Sequence, residues 1–331
     1  MTTSATAAPP GPIRDRRGKR LTIVVPMHDE AEVLDPLFDR LDAVAPTLGL
    51  ELEILCVDDG SRDATLARLR DRAASDPRLK VLALTRNFGK EAALTAGIDA
   101  ATGDLLVPVD ADLQDPPELI GEFLKLWEQG YDVVYGVRVD RRADTAAKRL
   151  TAGLFYRLFN LIADRPIPPS TGDFRLMDRE VVEALKALPE RNRFMKGLFA
   201  WVGFRQIGVP YARPERAAGQ TSWRYLNLFR FAIDGITSFT TLPLRVWSLI
   251  GGASAVVAIL WALVIVLRVL ILGIDVPGYA SLMVALLFGF ALQMVALGVM
   301  GEYIGRLYEE AKGRPIYLVR EKVGFGDVRG T

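Results

Sequence analysis

The sequence has one cysteine, Cys56, and one histidine, His28, in 331 residues. A single thiol excludes any disulfide within the chain, and Cys56 lies in the apolar run Ile54-Leu-Cys-Val57, where it reads as a small buried hydrophobe. A single imidazole excludes a multi-histidine metal centre and, with His28 read as a loop residue, a Ser-His-Asp triad. Charge of one sign is also lacking. The formal net charge is +1, so the molecule as a whole carries no electrostatic footprint for nucleic acid. Two common phosphate-binding signatures are missing. Arg86-Asn-Phe-Gly-Lys-Glu91 contains a Gly-Lys pair without the earlier glycine and following Ser or Thr of a P-loop, and no G-x-G-x-x-G follows the first predicted strand. The first 20 residues have no apolar core of the length a secretory signal requires and read as a disordered basic arm, rich in Ala, Pro, Thr and Arg.

Charge is absent altogether from two stretches, Ser248–Leu267 and Tyr279–Gly301. At about 1.5 Å per residue each reaches across a hydrocarbon core of about 30 Å, and a buried soluble hairpin would leave too much apolar surface to cover. The connecting Gly273-Ile-Asp-Val-Pro-Gly278 has no Lys or Arg. Arg245 precedes the first span, and Arg306, Lys312, Arg314, Arg320 and Lys322 follow the second. The positive-inside rule therefore predicts a multi-pass inner-membrane protein with both long flanking segments in the cytoplasm. Arg268, near the far end of its span, is placed to snorkel to the opposite interface.

Ahead of these spans, Leu21–Val25, Glu53–Val57, Lys80–Leu84, Leu105–Val109 and Asp132–Val137 read as strands separated by helix-length segments, which predicts an α/β sheet of largely parallel order. Polar clusters close the first four: Pro26-Met-His-Asp-Glu30, Asp58-Asp-Gly-Ser61, Thr85-Arg-Asn87 and Asp110-Ala-Asp112. Ligands bind at the carboxyl ends of strands in open α/β sheets, so these clusters are expected to converge. Helical periodicity places Leu150, Leu154, Leu158 and Leu161 on one face of 147–163. A second amphipathic pattern over Trp223–Thr240, directly before a span, reads as an interfacial helix.

The sharpest chemical signal is Asp110-Ala-Asp-Leu-Gln-Asp115. Two carboxylates two residues apart at a strand end supply hard oxygen donors suited to Mg²⁺ or Mn²⁺ shared with phosphate oxygens. Asp58 is placed to accept hydrogen bonds from a base or ribose, and Glu30 is either a helix N-terminal acid or another nucleoside contact.

Taken together, Val25-Pro-Met-His-Asp-Glu30, Val57-Asp-Asp-Gly-Ser61, Arg86-Asn-Phe-Gly-Lys90, Asp110-Ala-Asp-Leu-Gln114 and Thr171-Gly-Asp-Phe-Arg175 resemble the motifs of glycosyltransferase family 2. The chain resembles most its polyprenyl-phosphate branch, relatives of dolichyl-phosphate mannose synthase with two C-terminal membrane helices, from about Leu21 to Gly313. The resemblance implies a GT-A (Rossmann-like) domain over 21–222, an interfacial juxtamembrane helix over 223–244, two transmembrane helices within 245–304 and a cytoplasmic tail over 305–331. It implies transfer of a sugar from a nucleotide sugar, a UDP-sugar ahead of GDP-mannose, to a polyprenyl phosphate lipid with inversion. By the same resemblance Pro26, Glu30, Asp58, Asp59, Lys90, Asp110, Ala111 and Asp112 bind the nucleotide sugar. Asp110, Asp112 and Gln114 surround Mg²⁺ or Mn²⁺, Asp173 stands at the reacting centre, Arg138, Arg213 and Arg216 bind phosphate, and a homo-oligomer is expected. The chain departs from the branch at Gly219-Gln-Thr-Ser-Trp223, where Ser222 replaces an expected cation. A processive polysaccharide synthase is disfavoured by the lack of Gln-x-x-Arg-Trp and by too few spans, and an inactive nucleotide-sugar-binding scaffold by the intact acidic motif and Asp173.

Overall fold

A computed structural model describes residues 11–138, 171–191, 193–212, 242–272 and 278–326. The predicted amphipathic helices over 147–163 and 223–240, the connecting turn at 273–277, Arg213, Arg216 and Ser222 lie outside the described residues.

The predicted strands form where apolar and β-branched residues run together. β1 (Arg20–Met27), β2 (Glu51–Asp58), β3 (Leu79–Leu84), β4 (Leu105–Pro108) and β5 (Val133–Arg138) each contain or overlap the expected segment. Alternation then assigns their faces. Leu21, Ile23, Val25 and Met27 enter one core layer, whereas Val24 enters the other. The first layer is closed by α1 (Leu34–Leu48), α2 (Thr65–Ala73) and α4 (Ile120–Glu128) through residues such as Phe38, Leu41, Leu69, Phe123 and Trp127. The second is closed by α3 (Lys90–Ala100), α5 (Arg179–Lys186) and α6 (Met195–Trp201) through Leu94, Val182, Leu185, Leu198 and Phe199. Helices on both faces of a sheet are the α/β arrangement expected of such buried strands.

Three further strands complete the sheet: β6 (Thr171–Asp178), β7 (Gln206–Tyr211) and β8 (Val319–Val323). The order is β7-β5-β6-β4-β1-β2-β3-β8. The centre is parallel, as expected, with β1 paired to both β2 and β4 and β2 to β3. β6 is antiparallel to β4 and β5, and β8 is antiparallel to β3, so the complete sheet is mixed.

The basic arm differs from the expected disordered segment over its described part, residues 11–19. Arg14 donates to Asp132 at 2.5 Å, to Asp178 at 3.4 Å and to the Tyr131 carbonyl at 3.2 Å, and its guanidinium lies 5.5 Å from the centroid of Trp127. Two carboxylates distant in sequence thus supply the counter-charge that holds the arm on the domain.

α7 (Leu242–Leu272) and α8 (Tyr279–Lys312) carry the uncharged runs. Within them Val246–Arg268 and Ser281–Lys312 are long and apolar enough to cross a membrane, with mean hydropathies of 2.6 and 2.3, and neither is buried by the rest of the protein. Exposed apolar surface of this extent marks a partner or a bilayer. At the far end of α8, the Arg191 amide donates to Glu310 at 2.9 Å and its guanidinium donates to the Arg314 carbonyl, tying this helix end to the globular part.

Candidate active site

The polar clusters converge as their strand-end positions predict, and the structure shows what fastens them. Asp29 accepts from the Arg62 amide at 2.7 Å and donates its own amide to Ser61 Oγ at 3.0 Å, joining the loop after β1 to the loop after β2. Asp59 spends both carboxylate oxygens on the next loop, accepting from the amides of Phe88 at 2.7 Å and Gly89 at 2.8 Å. Expected as a nucleotide-sugar contact, Asp59 also has this bracing role. His28 lies at the junction, with Nδ1 2.9 Å from the Asp59 carbonyl oxygen. Among the described residues only Asp29 and Leu113 adopt a positive φ without being glycine, and both sit in the converging loops. Backbone of this kind persists where surrounding contacts over-determine it.

Gly60 makes the approach of two loops feasible. Its φ is +67°, and a Cβ there would lie 2.5 Å from the Arg86 carbonyl carbon and 2.7 Å from the Asn87 nitrogen. Gly60→Ala is therefore expected to combine left-handed strain with a backbone clash and lower stability by about 2 kcal/mol or more, seen as a lower Tm. An unchanged Tm would show that the two loops separate without cost.

Two adjoining cavities open between the loops. One, of about 330 Å³, is lined by Pro26, Glu30, Asp59, Lys90, Asp110, Ala111 and Asp112, so seven of the eight residues expected around the nucleotide sugar share it. The eighth, Asp58, lines a neighbouring cavity of about 380 Å³ with Arg62, Thr85, Arg86 and Asn87. His28 and Asn87 border both. Asp58 is almost wholly buried with its Oδ1 unpartnered; burial raises its carboxyl above the ordinary range, and hydrogen bonds from Ser61 act in the opposite direction. A buried acceptor without a donor in the fold is suited to a donor on a ligand.

Lys90, the first residue of α3, ties the acidic motif to Asp173. Its Nζ lies 2.7 Å from Asp110 and 2.7 Å from Asp173, which β6 carries in from the antiparallel part of the sheet. Burial works to lower the Lys90 pKa, but the charges of Asp173 and Asp110 outweigh it and hold the ammonium charged. For Asp173 burial works to raise the pKa, and Lys90, then Lys196, overcome it and bring the carboxyl down to about 2. Its Oδ1 is buried and unpartnered. Glu91, beside Lys90, is pushed up to about 7 by burial and by the negative charge of Asp173, and accepts from the Met195 amide at 3.2 Å.

Asp110 and Asp112 present hard oxygen donors to one cavity, while Gln114 is buried with Oε1 unpartnered and lines neither cavity. No group of three or more His, Cys, Asp or Glu side chains converges on a metal position among the described residues. The donor set therefore fits a divalent cation whose remaining ligands come from phosphate oxygens and water, the habit of Mg²⁺ bound at a nucleotide.

Arg138 was expected to bind phosphate, and its position shows a different engagement. Nε donates to Tyr211 Oη at 3.0 Å and Nη2 to Asp115 at 3.3 Å, while Tyr211 Oη donates to Asp115 at 2.5 Å. Burial and the charge of Asp110 raise the Asp115 pKa, against the opposing pull of Arg138 and Tyr211. This cluster braces the end of the acidic motif from behind. Asp115, Tyr211, Lys196 and Glu91 were not singled out from sequence. Only Asp115 left a local signal there, as the last residue of the acidic run.

The sheet-end cleft, with paired carboxylates, a bridging lysine and an unpartnered buried acceptor, suits a phosphorylated ligand and sits in a mixed α/β domain of GT-A architecture. The chain belongs to glycosyltransferase family 2: the profile of "Glycosyl transferase family 2" matches residues 22–186. An uncharacterized glycosyltransferase of Synechocystis is 53% identical, covering 92% of this chain and 96% of that protein. A prophage bactoprenol glucosyl transferase homolog of Escherichia coli is 45% identical over 91% of this chain and 98% of its own length. The SfII prophage-derived bactoprenol glucosyl transferase of Shigella flexneri is 44% identical with the same coverages, 91% and 98%. Among solved structures, the chain is similar to the mannosyltransferase PcManGT from Pyrobaculum calidifontis in complex with GDP-Man and Mn²⁺, at 18% identity and a TM-score of 0.44, covering 93% of this chain and 89% of that one.

Proposed function

We propose that this protein transfers one sugar from a nucleoside diphosphate sugar, a UDP-sugar ahead of GDP-mannose, to a polyprenyl phosphate at the cytoplasmic face of the inner membrane, with inversion. The reading is carried by the occurrence, in one chain, of a cleft for a phosphorylated donor and two exposed helices of membrane-crossing length, tied together through Arg191 and Glu310. A polyprenyl tail stays in the bilayer while its phosphate sits at the surface, so a cleft anchored beside the headgroups meets that acceptor. The names of the Escherichia coli and Shigella relatives, bactoprenol glucosyl transferases, support the same acceptor class. The cationic residues after the uncharged run of α8, from Arg306 to Lys322, support a cytoplasmic catalytic side.

In this reading an oxygen of the acceptor phosphate attacks the anomeric carbon as the bond from that carbon to the nucleoside diphosphate breaks on the opposite side. A phosphate monoester has a second pKa of about 6, so near neutrality the nucleophile is largely deprotonated and its need is orientation. A carboxyl held at about 2, as Asp173 is, makes a poor base and a permanent negative charge. Its role is to align the acceptor and stabilise positive character at the sugar ring. Asp110 and Asp112 would hold Mg²⁺ or Mn²⁺, and the chemistry that metal would supply is Lewis-acid neutralisation of diphosphate charge. Lys90 keeps Asp110 and Asp173 in register. Arg213 and Arg216 are assigned to phosphate, whereas Arg138 acts through Asp115.

Purified full-length protein, polyprenyl phosphate and radiolabelled UDP-glucose, other UDP-sugars or GDP-mannose are expected to give label in the lipid extract when Mg²⁺ or Mn²⁺ is present. Absence of lipid-bound label with every donor and both metals would sink the reading.

A further inference from the structure

The cavity that holds Asp58 has one wall from an unexpected part of the chain. Arg320, which follows both membrane-length helices, lines it together with Asp58, Gly60, Thr85 and Asn87. It is delivered there by β8, which adds antiparallel to the exposed edge of β3. In that pairing Glu321 lies opposite Ala83 and Val319 opposite Leu84, so Arg320 is the extra residue of a bulge. Bulges at sheet edges re-aim a side chain.

The backbone on either side is fastened. Thr85 donates its amide to the Leu318 carbonyl at 2.9 Å, immediately before the bulge. Immediately after it, Glu321 pairs with Arg70 of α2. Tyr317 donates to Asp99 of α3 at 2.9 Å. Gly324, at φ +78°, ends the strand where a Cβ would sit 2.5 Å from the Leu79 carbonyl oxygen. Arg86, which lines the same cavity as Arg320, stacks on Phe88 with 4.0 Å to the ring centroid and donates to the Asn87 carbonyl at 3.0 Å. The Arg320 side chain is exposed and makes no hydrogen bond or ion pair to the described residues, while the backbone on either side of it is held.

We propose that Arg320 is a donor-recognition residue, contacting the nucleobase of the nucleoside diphosphate sugar across the cavity from Asp58. The inference rests on the donor reading above and assigns its base end. The neighbouring cavity holds the phosphate-facing groups Lys90, Asp110 and Asp112, and the two share His28 and Asn87. A donor lying across both places its diphosphate by the carboxylates and its base between Asp58 and Arg320. The pair is chemically complementary to a base edge. Asp58 accepts from a ring N–H, while a planar guanidinium donates to a carbonyl oxygen or stacks on the ring. One consequence is that the catalytic segment before the membrane helices lacks a wall of its own donor site, which the chain supplies only after α8.

The test is equilibrium binding of UDP, GDP, UMP, GMP and pyrophosphate to the full-length protein and to Arg320→Ala, Arg320→Lys and Lys322→Ala. For whichever nucleotide series the native protein binds, Arg320→Ala is expected to weaken the mono- and diphosphate alike by about tenfold, the loss typical of a charge-assisted contact, with pyrophosphate unchanged. Arg320→Lys, which keeps the charge without the planar fork, is expected to fall between the native protein and Arg320→Ala, and Lys322→Ala to match the native protein. Nucleotide affinity of Arg320→Ala within twofold of native would overturn the proposal. So would an equal loss of pyrophosphate affinity, which would move the contact to the phosphates. If the native protein binds neither UDP nor GDP, the donor reading itself fails, a result distinct from either.

Discussion

Asp112→Ala is expected to lower metal-supported sugar transfer by about a thousandfold, the several kcal/mol that a Lewis acid contributes at a developing phosphate charge. The expectation is specific to Asp112 because of how the motif is held. Asp110 is engaged by Lys90, so its removal would also release that lysine from half of its counter-charge. Asp112 faces the same cavity, and its Oδ1 accepts from the Gln114 amide at 3.1 Å. Losing that bond costs about 1 kcal/mol of local stability, small beside the catalytic effect. The variant is therefore expected to insert in membranes, melt within a few degrees of the native protein and keep its affinity for the nucleoside monophosphate. Turnover would be measured across a Mg²⁺ or Mn²⁺ titration with polyprenyl phosphate saturating. Native turnover in the variant would remove Asp112 from the metal site.

The same geometry explains which parts of the site could be read in advance. Four strand-end clusters were legible because each follows a run of buried, β-branched residues and because a parallel sheet gathers its carboxyl ends on one side. Pro26, Glu30, Asp58 and Asp110 announce themselves in this way. β6 was harder. Thr171–Asp178 alternates poorly because Asp173 and Arg175 interrupt it, one reaching Lys90 and the other buried against Phe199 with 3.8 Å to the ring centroid. These two charges break the apolar pattern from which a strand is recognised. β8 is short, charged and separated from β3 by more than 200 residues, so no local periodicity betrays it.

Roles proved less legible than positions. Asp59 and Arg138 carry charges in the right neighbourhood, yet Asp59 spends both oxygens on the amides of Phe88 and Gly89, and Arg138 is engaged by Asp115 and Tyr211. Whether a charged side chain meets the ligand or braces the residue that does depends on its neighbours. For Arg138 one of these neighbours, Tyr211, lies on β7, a strand the sequence did not expose, and the other, Asp115, in the loop after β4. The Lys90 bridge is a similar case. The resemblance lists Lys90 among the nucleotide-sugar contacts, and only the fold shows its ammonium between Asp110, in the loop after β4, and Asp173 of β6.

Asp173→Asn is expected to reduce kcat by about a hundredfold or more at every pH from 5 to 8 without changing the shape of the profile. Asn keeps the size of the side chain and removes the charge, leaving Lys90 with Asp110 alone. The native rate should rise with pH through about 6 as the acceptor phosphate loses its second proton, because the dianion is the better nucleophile. Asp173, with its carboxyl at about 2, stays ionised throughout that window and adds no limb of its own. The variant should therefore show the same rise, displaced downward. If Asp173 were instead the base, removing it would abolish the acidic limb, and that outcome would overturn the alignment role. Stability supplies an independent check with a definite sign. A carboxyl lowered in the folded state below its ordinary 3.8 contributes stability that is present above that value and is lost as pH falls toward 2. Unfolding followed between pH 5 and 2 should show the native protein losing more stability than Asp173→Asn. Parallel acid profiles would mean that Lys90 does not hold this carboxylate.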